Sequence, residues 1–264
     1  MINLKNRLKQ KFFSRINLQI HYDYLHEKWN KKSTHIFIAC LPKSGSTFLA
    51  NTLVNITEFK FKQYQPHRSL TEHDIRVDYF LSSINKNTLT QLHSRPNENN
   101  YNIFKNYNIK VVFLYRNITD SLISIRNHIL NESNQWFMFT AAKDFDQWPI
   151  EKQFDFLIDL VVPWYINFLI SWEKEIIKGD IDILKIDYDD FNKDNFTTIK
   201  SILNFYKLSK FEDKIDRNVQ LSLKEKEKYR YNKHKNSPKY KFNDEQIDRI
   251  QGFLSYYPEF KIKI

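Results

Sequence analysis

Uninterrupted apolar runs alternate with amphipathic stretches along most of the chain, and the two patterns predict strands and helices in turn. The apolar runs, which suit strands buried on both faces of a sheet, cover residues 35–40, 109–115 and 181–186. Apolar residues at helical spacing follow each run, over residues 46–56, 120–130 and 196–206. Strands that alternate with helices in this way indicate an α/β fold with a central parallel β-sheet flanked by helices.

Weaker patterns add three elements between the first two strong strands. Alternating aromatic residues predict a short strand within 58–66, and the run Asn-Thr-Leu-Thr-Gln-Leu predicts another over 87–92. Between them, residues 67–84 are expected to form a helix that is capped by Ser69 or Thr71. The two extra strands would widen the same sheet.

The two ends of the chain are basic. Residues 3–31 show helical spacing within an N-terminal extension, 1–33, which we expect to pack on the domain edge rather than lie on a membrane. The tyrosine-rich stretch 229–242 is expected to be a basic loop that closes over an anion, with a solvated charged loop as the alternative. A last helix is expected over 243–254. Since no repeat or linker divides the sequence, residues 1–264 are expected to form a single domain.

The composition is that of a globular protein with excess positive charge. Hydrophobic residues make up 41% of the chain and aromatic residues 16%, which argues against disorder. The formal net charge is +10, and it favours anionic ligands or surfaces such as nucleotides, sulfated sugars, nucleic acid and lipid head groups. The alternative is that most of the lysines simply lie on solvated faces.

Three features bear on the cellular compartment. The single cysteine, Cys40, excludes an intrachain disulfide and is expected to be a small buried hydrophobic residue. The N-terminal stretch is charged and lacks the apolar centre of a secretory signal. The most apolar segment, 154–172, contains Asp155, Asp159 and Pro163, and we interpret it as too short and too charged to span a membrane. Together these features predict a cytoplasmic protein.

The turn between the first strand and the first helix carries the strongest chemical signal. Residues 41–48 read Leu-Pro-Lys-Ser-Gly-Ser-Thr-Phe, and a strand–turn–helix points free backbone N–H groups and a positive dipole end at an anion. Gly45 lets the backbone approach a ligand closely, and Lys43 adds a positive charge. Hydroxyl donors are supplied by Ser44, Ser46 and Thr47. A phosphate or sulfate-like oxyanion is the expected ligand, and an ordinary turn is the alternative.

Three chemically active side chains follow predicted strands. Lys43, His93 and Arg116 all come where a strand ends, and ligands of open parallel sheets bind beyond the carboxyl ends of the strands. We therefore expect the three to face one cleft. The competing interpretation is structural, with His93 as a strand-end residue and Arg116 paired with Asp120 or Asp187.

Four stretches together resemble one enzyme family. Residues 42–48 look like the 5′-phosphosulfate loop of the sulfotransferases that use 3′-phosphoadenylyl sulfate (PAPS), including their cytosolic and bacterial members. Residues 111–117, followed by Ser124, resemble the 3′-phosphate signature of that family. Residues 187–191 and 163–165 resemble its tyrosine-acidic-acidic-apolar motif and the helix before it.

The resemblance implies a three-layer α/β/α fold like that of the P-loop NTPases and a sulfuryl transfer from PAPS to a hydroxyl acceptor. The co-product is adenosine 3′,5′-bisphosphate (PAP), and no metal is required. Lys43 would stabilise the leaving oxygen, His93 would take the proton of the acceptor, and Arg116 with Ser124 would bind the 3′-phosphate. The 5′-phosphate would be bound by the turn, and the aromatic ring for adenine stacking would come from Phe48.

Further positions are carried over by the same resemblance. Tyr188 is expected near the nucleotide, although a core position is the alternative. Arg230 and Lys233 are the nearest substitutes for a basic C-terminal segment of the family, which this chain does not spell out. Glu72 is the alternative base, as in some sugar-modifying members. Gln91 stands where many cytosolic members have a second lysine.

Two other function classes are compatible with parts of the sequence. A P-loop kinase needs Gly-x-x-x-x-Gly-Lys-Ser/Thr, whereas Lys43 here precedes Gly45. A non-catalytic basic protein that binds nucleotides, nucleic acid or membranes would explain the charge alone. For the sulfotransferase we expect a small-molecule or glycan acceptor and no specific nucleic acid, and the positive charge favours an anionic or carbohydrate acceptor.

Overall fold

The computed structural model describes residues 33–65, 73–225 and 240–264. Its strands are, in chain order, β1 His35–Cys40, β2 Lys60–Phe61, β3 Thr88–Leu92, β4 Val111–Tyr115, β5 Gln135–Trp136, β6 Phe139–Thr140 and β7 Ile183–Asp187. Five of them form a parallel sheet in the order β2-β3-β1-β4-β7, and β5 pairs with β6 in an antiparallel hairpin. The strand β1 is therefore central, with β3 and β4 as its neighbours.

Helices cover both faces of this sheet. They are α1 Ser46–Thr57, α2 Val77–Leu81, α3 Glu98–Asn106, α4 Ile118–Asn131, α5 Ile150–Lys178, α6 Tyr188–Lys193, α7 Asn195–Phe205, α8 Ile215–Lys224 and α9 Asp244–Leu254. Side chains of β1 alternate between two cores: Phe37 and Ala39 join α3, α4 and α5, whereas Ile36 and Ile38 join α1, α7 and α8. This confirms the three-layer α/β/α architecture.

Most of the expected elements are present, and the predicted helix over 67–84 is wrong in extent. In its described part only α2 is helical. The residues just before α2 bond to other parts of the chain: the Ile75 N–H donates to Asn100 Oδ1, and the Arg76 N–H donates to Tyr64 O. Backbone groups that are used in this way are not available to a helix.

The strand expected within 58–66 is also shorter than predicted. Only β2 pairs, with Lys60 beside Thr88. The Tyr64 hydroxyl instead lies 2.9 Å from Thr88 Oγ1 and 3.1 Å from Ser83 Oγ. A buried side chain therefore adds to the backbone bonds that hold this stretch at the sheet edge.

Several predictions concern residues outside the described ranges. These are residues 1–32 of the N-terminal extension, the caps Ser69 and Thr71, the alternative base Glu72, and residues 229–239 of the basic loop, with Arg230 and Lys233.

The most apolar segment lies within α5, which at 29 residues is longer than expected. By length and composition alone α5 is long and apolar enough to cross a membrane, which corrects the expectation that it is too short. In the fold, 56% of its most apolar window is buried inside the protein. Its apolar residues, among them Trp172 and Phe168, pack in the core against Phe113 of β4.

Candidate active site

The loop between β1 and α1 has the backbone conformation of a tight, anion-facing turn. Lys43 has φ of +64° and Gly45 has φ of +76°, both in the left-handed region. Ser44 is fully buried, and its hydroxyl donates to Leu41 O at 2.6 Å. The Tyr165 hydroxyl donates to Pro42 O at 3.0 Å. The Ser44 hydroxyl therefore closes the turn in this structure. Its contact with a ligand stays a prediction.

The N-terminus of α1 has two features that favour an anion. Gly45 occupies the N-cap position, and among the described residues no side chain caps the first turn, which also lacks an acidic residue. The backbone N–H groups there, together with the helix dipole, favour an anion. Thr47 is exposed at this end, and Ser46 is buried. Thr47 is thus the hydroxyl of the turn that solvent reaches most easily.

Phe48 lies on the buried side of α1. Its side chain is 1% exposed, and its ring centroid is 5.8 Å from that of Phe191. The ring is part of the core beneath the turn in this structure. Its stacking on adenine stays a prediction.

Tyr188 connects the turn to Arg116. A Cβ atom placed on Gly45 would lie 2.7 Å from Tyr188 Cε2, far inside contact distance. On the other side, Arg116 Cζ lies 4.3 Å from the centroid of the Tyr188 ring. Tyr188 is 8% exposed, so it acts as a spacer under the site.

Arg116 reaches the turn directly. Its Nη1 donates to Lys43 O at 3.3 Å, and its Nη2 lies 3.5 Å from Asp120 Oδ2. Its Nε is buried, and no described residue accepts a hydrogen bond from it. Of the two ion-pair partners expected from the sequence, Asp120 is the one observed, because Asp187 is bound by Lys263 instead.

Ser124 lies one helical turn beyond Asp120 on α4. Residues four apart share a helix face, so Ser124 follows Asp120 on the face that carries the Arg116 ion pair. Its side chain is partly exposed. The structure therefore places Arg116 beside Lys43. The contact of Ser124 with a phosphate stays a prediction.

His93 follows β3 directly and lies beside the last residue of β1. Its Nδ1 is 2.8 Å from Cys40 O. Because a carbonyl oxygen only accepts, this contact assigns the ring proton to Nδ1 and leaves Nε2 with a free electron pair. Burial lowers the pKa of His93 to about 4, partly offset by the bond to Cys40 O. His93 is therefore neutral near pH 7 and has the tautomer that a proton acceptor needs.

Cys40 is a structural neighbour of His93. Its Sγ lies 3.3 Å from His93 Nδ1 and 3.1 Å from Gln91 Nε2. Burial raises the pKa of the Cys40 thiol to about 11. The thiol is protonated at neutral pH and is no nucleophile, which agrees with its expected role in the core.

Two aromatic neighbours of His93 had no signal in the sequence. His73 and His93 have ring centroids 5.1 Å apart, and His73 Nδ1 accepts the backbone N–H of His93 at 2.9 Å. Phe137, in the hairpin between β5 and β6, stacks on His93 at 6.2 Å and contacts Trp164 at 5.4 Å. Both residues are distant from His93 in the sequence, so only the fold reveals the contacts.

The lowered pKa of His93 predicts a pH-dependent stability. The unfolded chain binds a proton at this residue near pH 6.5 and the folded chain only near pH 4, so stability is complete above pH 6.5 and falls as the pH falls toward 4. Urea unfolding at pH 7 and pH 5 is expected to show this loss, at most about 2 kcal/mol from His93. His93→Asn should remove the part of the stability loss that is due to His93 and keep the part that is due to other groups. Equal pH dependence in both proteins would contradict the lowered pKa.

A family model described as a sulfotransferase domain matches residues 33–260. The chain belongs to the sulfotransferase-domain family. A comparison with curated protein sequences gave no match.

Solved structures agree with this family in fold. Mouse sulfotransferase SULT7A1, complexed with PAP, has 18% sequence identity and a TM-score of 0.59, over 84% of this chain and 83% of that one. Retinol dehydratase, in complex with androsterone and the inactive cofactor PAP, has 15% identity and a TM-score of 0.53, over 88% and 85%. At these identities the likeness concerns the α/β fold. Among the described residues, no group of three or more metal-ligating side chains is present.

Proposed function

We propose that this sulfotransferase-domain protein transfers a sulfuryl group from PAPS to a hydroxyl acceptor and releases PAP. The observation that carries the proposal is the hydrogen bond from Arg116 to Lys43 O, at 3.3 Å. It places the guanidinium beside the turn whose helix end favours an anion. Two anion sites at a short, fixed separation suit a nucleotide with phosphates at its 3′ and 5′ positions.

The residues present fit such a nucleotide. The buried Nε of Arg116 has no acceptor among the described residues, so a phosphate oxygen would satisfy it. The uncapped first turn of α1 would bind the second phosphate through backbone N–H groups. Ser124 would add a hydroxyl to the 3′-phosphate side. The roles of Phe48, Tyr188, Arg230 and Lys233 toward the nucleotide stay predictions.

The chemistry asks for positioning and charge stabilisation. PAPS supplies the sulfuryl group on a good phosphate leaving group. Lys43, with its backbone held in the left-handed conformation by the turn, would place its ammonium against the negative charge that develops on the leaving oxygen. His93 Nε2 would accept the proton of the attacking hydroxyl, a contribution of about 10²–10⁴ in rate. Holding the acceptor oxygen, the sulfur and the leaving oxygen in line contributes the rest of the rate enhancement.

Arg116 is expected to select a 3′-phosphate. Arg116→Met keeps side-chain volume and removes the charge, so the affinity for PAP should fall about 100-fold, whereas that for adenosine 5′-monophosphate should change by less than about three-fold. Arg76→Met is the matched control, because it removes the same charge from an exposed pair with Asp78. Isothermal titration calorimetry measures the affinity of each variant for each of the two nucleotides. Equal losses for the two nucleotides would contradict the assignment.

The same titrations separate the competing functions. A P-loop kinase would bind ATP more tightly than PAP, whereas the proposed site favours PAP because ATP has no 3′-phosphate. A basic protein that binds nucleic acid would show affinity that falls steeply and uniformly with salt. PAP affinity that survives moderate salt and depends on Arg116 supports the sulfotransferase.

The acceptor is proposed to be a hydroxyl of a small molecule or a glycan. The partly exposed ring of Phe137 lies beside His93, and the ring of Trp164 contacts Phe137 in turn. Such rings pack against aromatic acceptors and against the C–H face of a sugar. Transfer from labelled PAPS should therefore be measured with phenols, aliphatic alcohols and neutral or acidic sugars. Preference for acidic sugars would support the expectation from the net charge. A cytoplasmic location stays a prediction.

A further inference from the structure

We propose that His73 is a positioning residue for the base His93, and that it acts by accepting the His93 backbone N–H. This inference rests on the proposed function, because it concerns the residue that would take the acceptor proton. His73 belongs neither to the anion-binding turn nor to the Arg116 site.

His93 is anchored at two points. The strand β3 ends at Leu92, so the His93 N–H lies just beyond the strand, and it donates to His73 Nδ1 at 2.9 Å. The imidazole donates from its own Nδ1 to Cys40 O at 2.8 Å. One bond fixes the main chain and the other fixes the ring, so the direction of Nε2 is determined by both.

Aromatic packing restricts the same ring. His73 is 4% exposed, and its ring lies 5.1 Å from that of His93 at an interplanar angle of 32°. Phe137 lies 6.2 Å from His93 and 6.5 Å from His73. Three rings in mutual contact leave the His93 imidazole few rotamers, which keeps a base in its productive geometry before the acceptor binds.

The hydrogen bond also defines the charge of His73. A nitrogen that accepts from an N–H carries no proton, so His73 is a neutral imidazole while this bond exists. When His93 takes the acceptor proton and becomes a cation, its nearest ring is therefore uncharged and does not repel it. Protonation of His73 at Nδ1 would break the bond and place two cations face to face.

The segment that carries His73 has anchors of its own. Ile75 and Arg76 donate their N–H groups to Asn100 Oδ1 at 2.8 Å and to Tyr64 O at 2.7 Å. A change at His73 therefore leaves the following backbone tied to two other parts of the fold. This makes it possible to test the side chain without releasing the segment.

Two substitutions separate the acceptor from the ring. His73→Asn keeps an acceptor, because Asn Oδ1 can replace Nδ1 in position, and it removes the ring. His73→Phe keeps a ring of similar shape and removes the acceptor, and His73→Leu is a second variant without an acceptor. In the full-length protein we expect His73→Phe and His73→Leu to lower kcat about 10- to 100-fold, with PAP affinity within about two-fold of wild type. His73→Asn should stay within about three-fold of wild-type kcat.

A readout other than turnover tests the positioning itself. Nitrogen-15 NMR of the His93 imidazole reports its tautomer, which should be a single Nδ1–H form in wild type and His73→Asn, and a mixture in His73→Phe. The proposal would be overturned if His73→Phe and His73→Leu had wild-type kcat and an unchanged His93 tautomer. It would also be overturned if His73→Asn lost as much kcat as those two variants. If wild type transfers no sulfuryl group but the tautomer still depends on the residue at 73, the proposed function fails while the positioning role stands.

Discussion

Gly45→Ala is expected to weaken PAP binding at least about 100-fold and to abolish most transfer. The added Cβ would lie 2.7 Å from Tyr188 Cε2 and 3.0 Å from Cδ2, so the Tyr188 ring must move. That ring carries the Arg116 guanidinium on its other side, 4.3 Å from its centroid. One methyl group thus disturbs both proposed phosphate sites.

Gly179→Ala is the matched control for Gly45→Ala. Gly179 has φ of +72°, close to the +76° of Gly45, and a Cβ placed there meets nothing within 4 Å. Both substitutions carry the cost of a left-handed alanine, about 1–2 kcal/mol, and only Gly45→Ala adds the clash. Calorimetry with PAP and thermal unfolding of both variants distinguish the two effects. Equal PAP affinity in the two variants would show that Tyr188 does not couple the turn to Arg116.

His93→Asn is expected to lower kcat by about 10²–10⁴ while PAP affinity stays within about two-fold. Asn can still donate from Nδ2 to Cys40 O in the manner of the imidazole Nδ1, so the local hydrogen bond is kept. What disappears is Nε2, the proposed proton acceptor. Single-turnover transfer from labelled PAPS measures the chemical step, and calorimetry measures binding.

Two outcomes of the His93→Asn experiment would change the mechanism. Wild-type turnover with intact PAP binding would transfer the role of base to another residue, with Glu72 as the candidate that the sequence supplies. Loss of PAP binding along with turnover would mean that His93 supports the nucleotide site. Glu72→Gln is the direct follow-up in the first case.

The sequence predicts the strand–turn–helix of residues 35–57 well because this feature is local. The six residues of β1 are all buried, and the run of apolar residues identifies them without ambiguity. The turn that follows has positive φ at Lys43 and Gly45, and the glycine at least is visible in the sequence. Parallel strands end at one edge, which suffices to bring His93 and Arg116 to the same side of the sheet.

Features that depend on contacts between distant residues were not predictable. In the described part of the helix expected over 67–84, the residues before α2 are not helical because Asn100 and Tyr64 accept the backbone N–H groups of Ile75 and Arg76. The contact between His73 and His93 also joins residues that are 20 positions apart in the sequence. The position of the Tyr188 ring between Gly45 and Arg116 is likewise visible only in the fold.

A crystal structure of the complex with PAP would locate both phosphates. We expect one phosphate at the N–H groups of the first turn of α1, near Lys43, and the other on Arg116 Nε with Ser124 close by. PAP bound elsewhere, or with both phosphates away from Arg116, would contradict this arrangement.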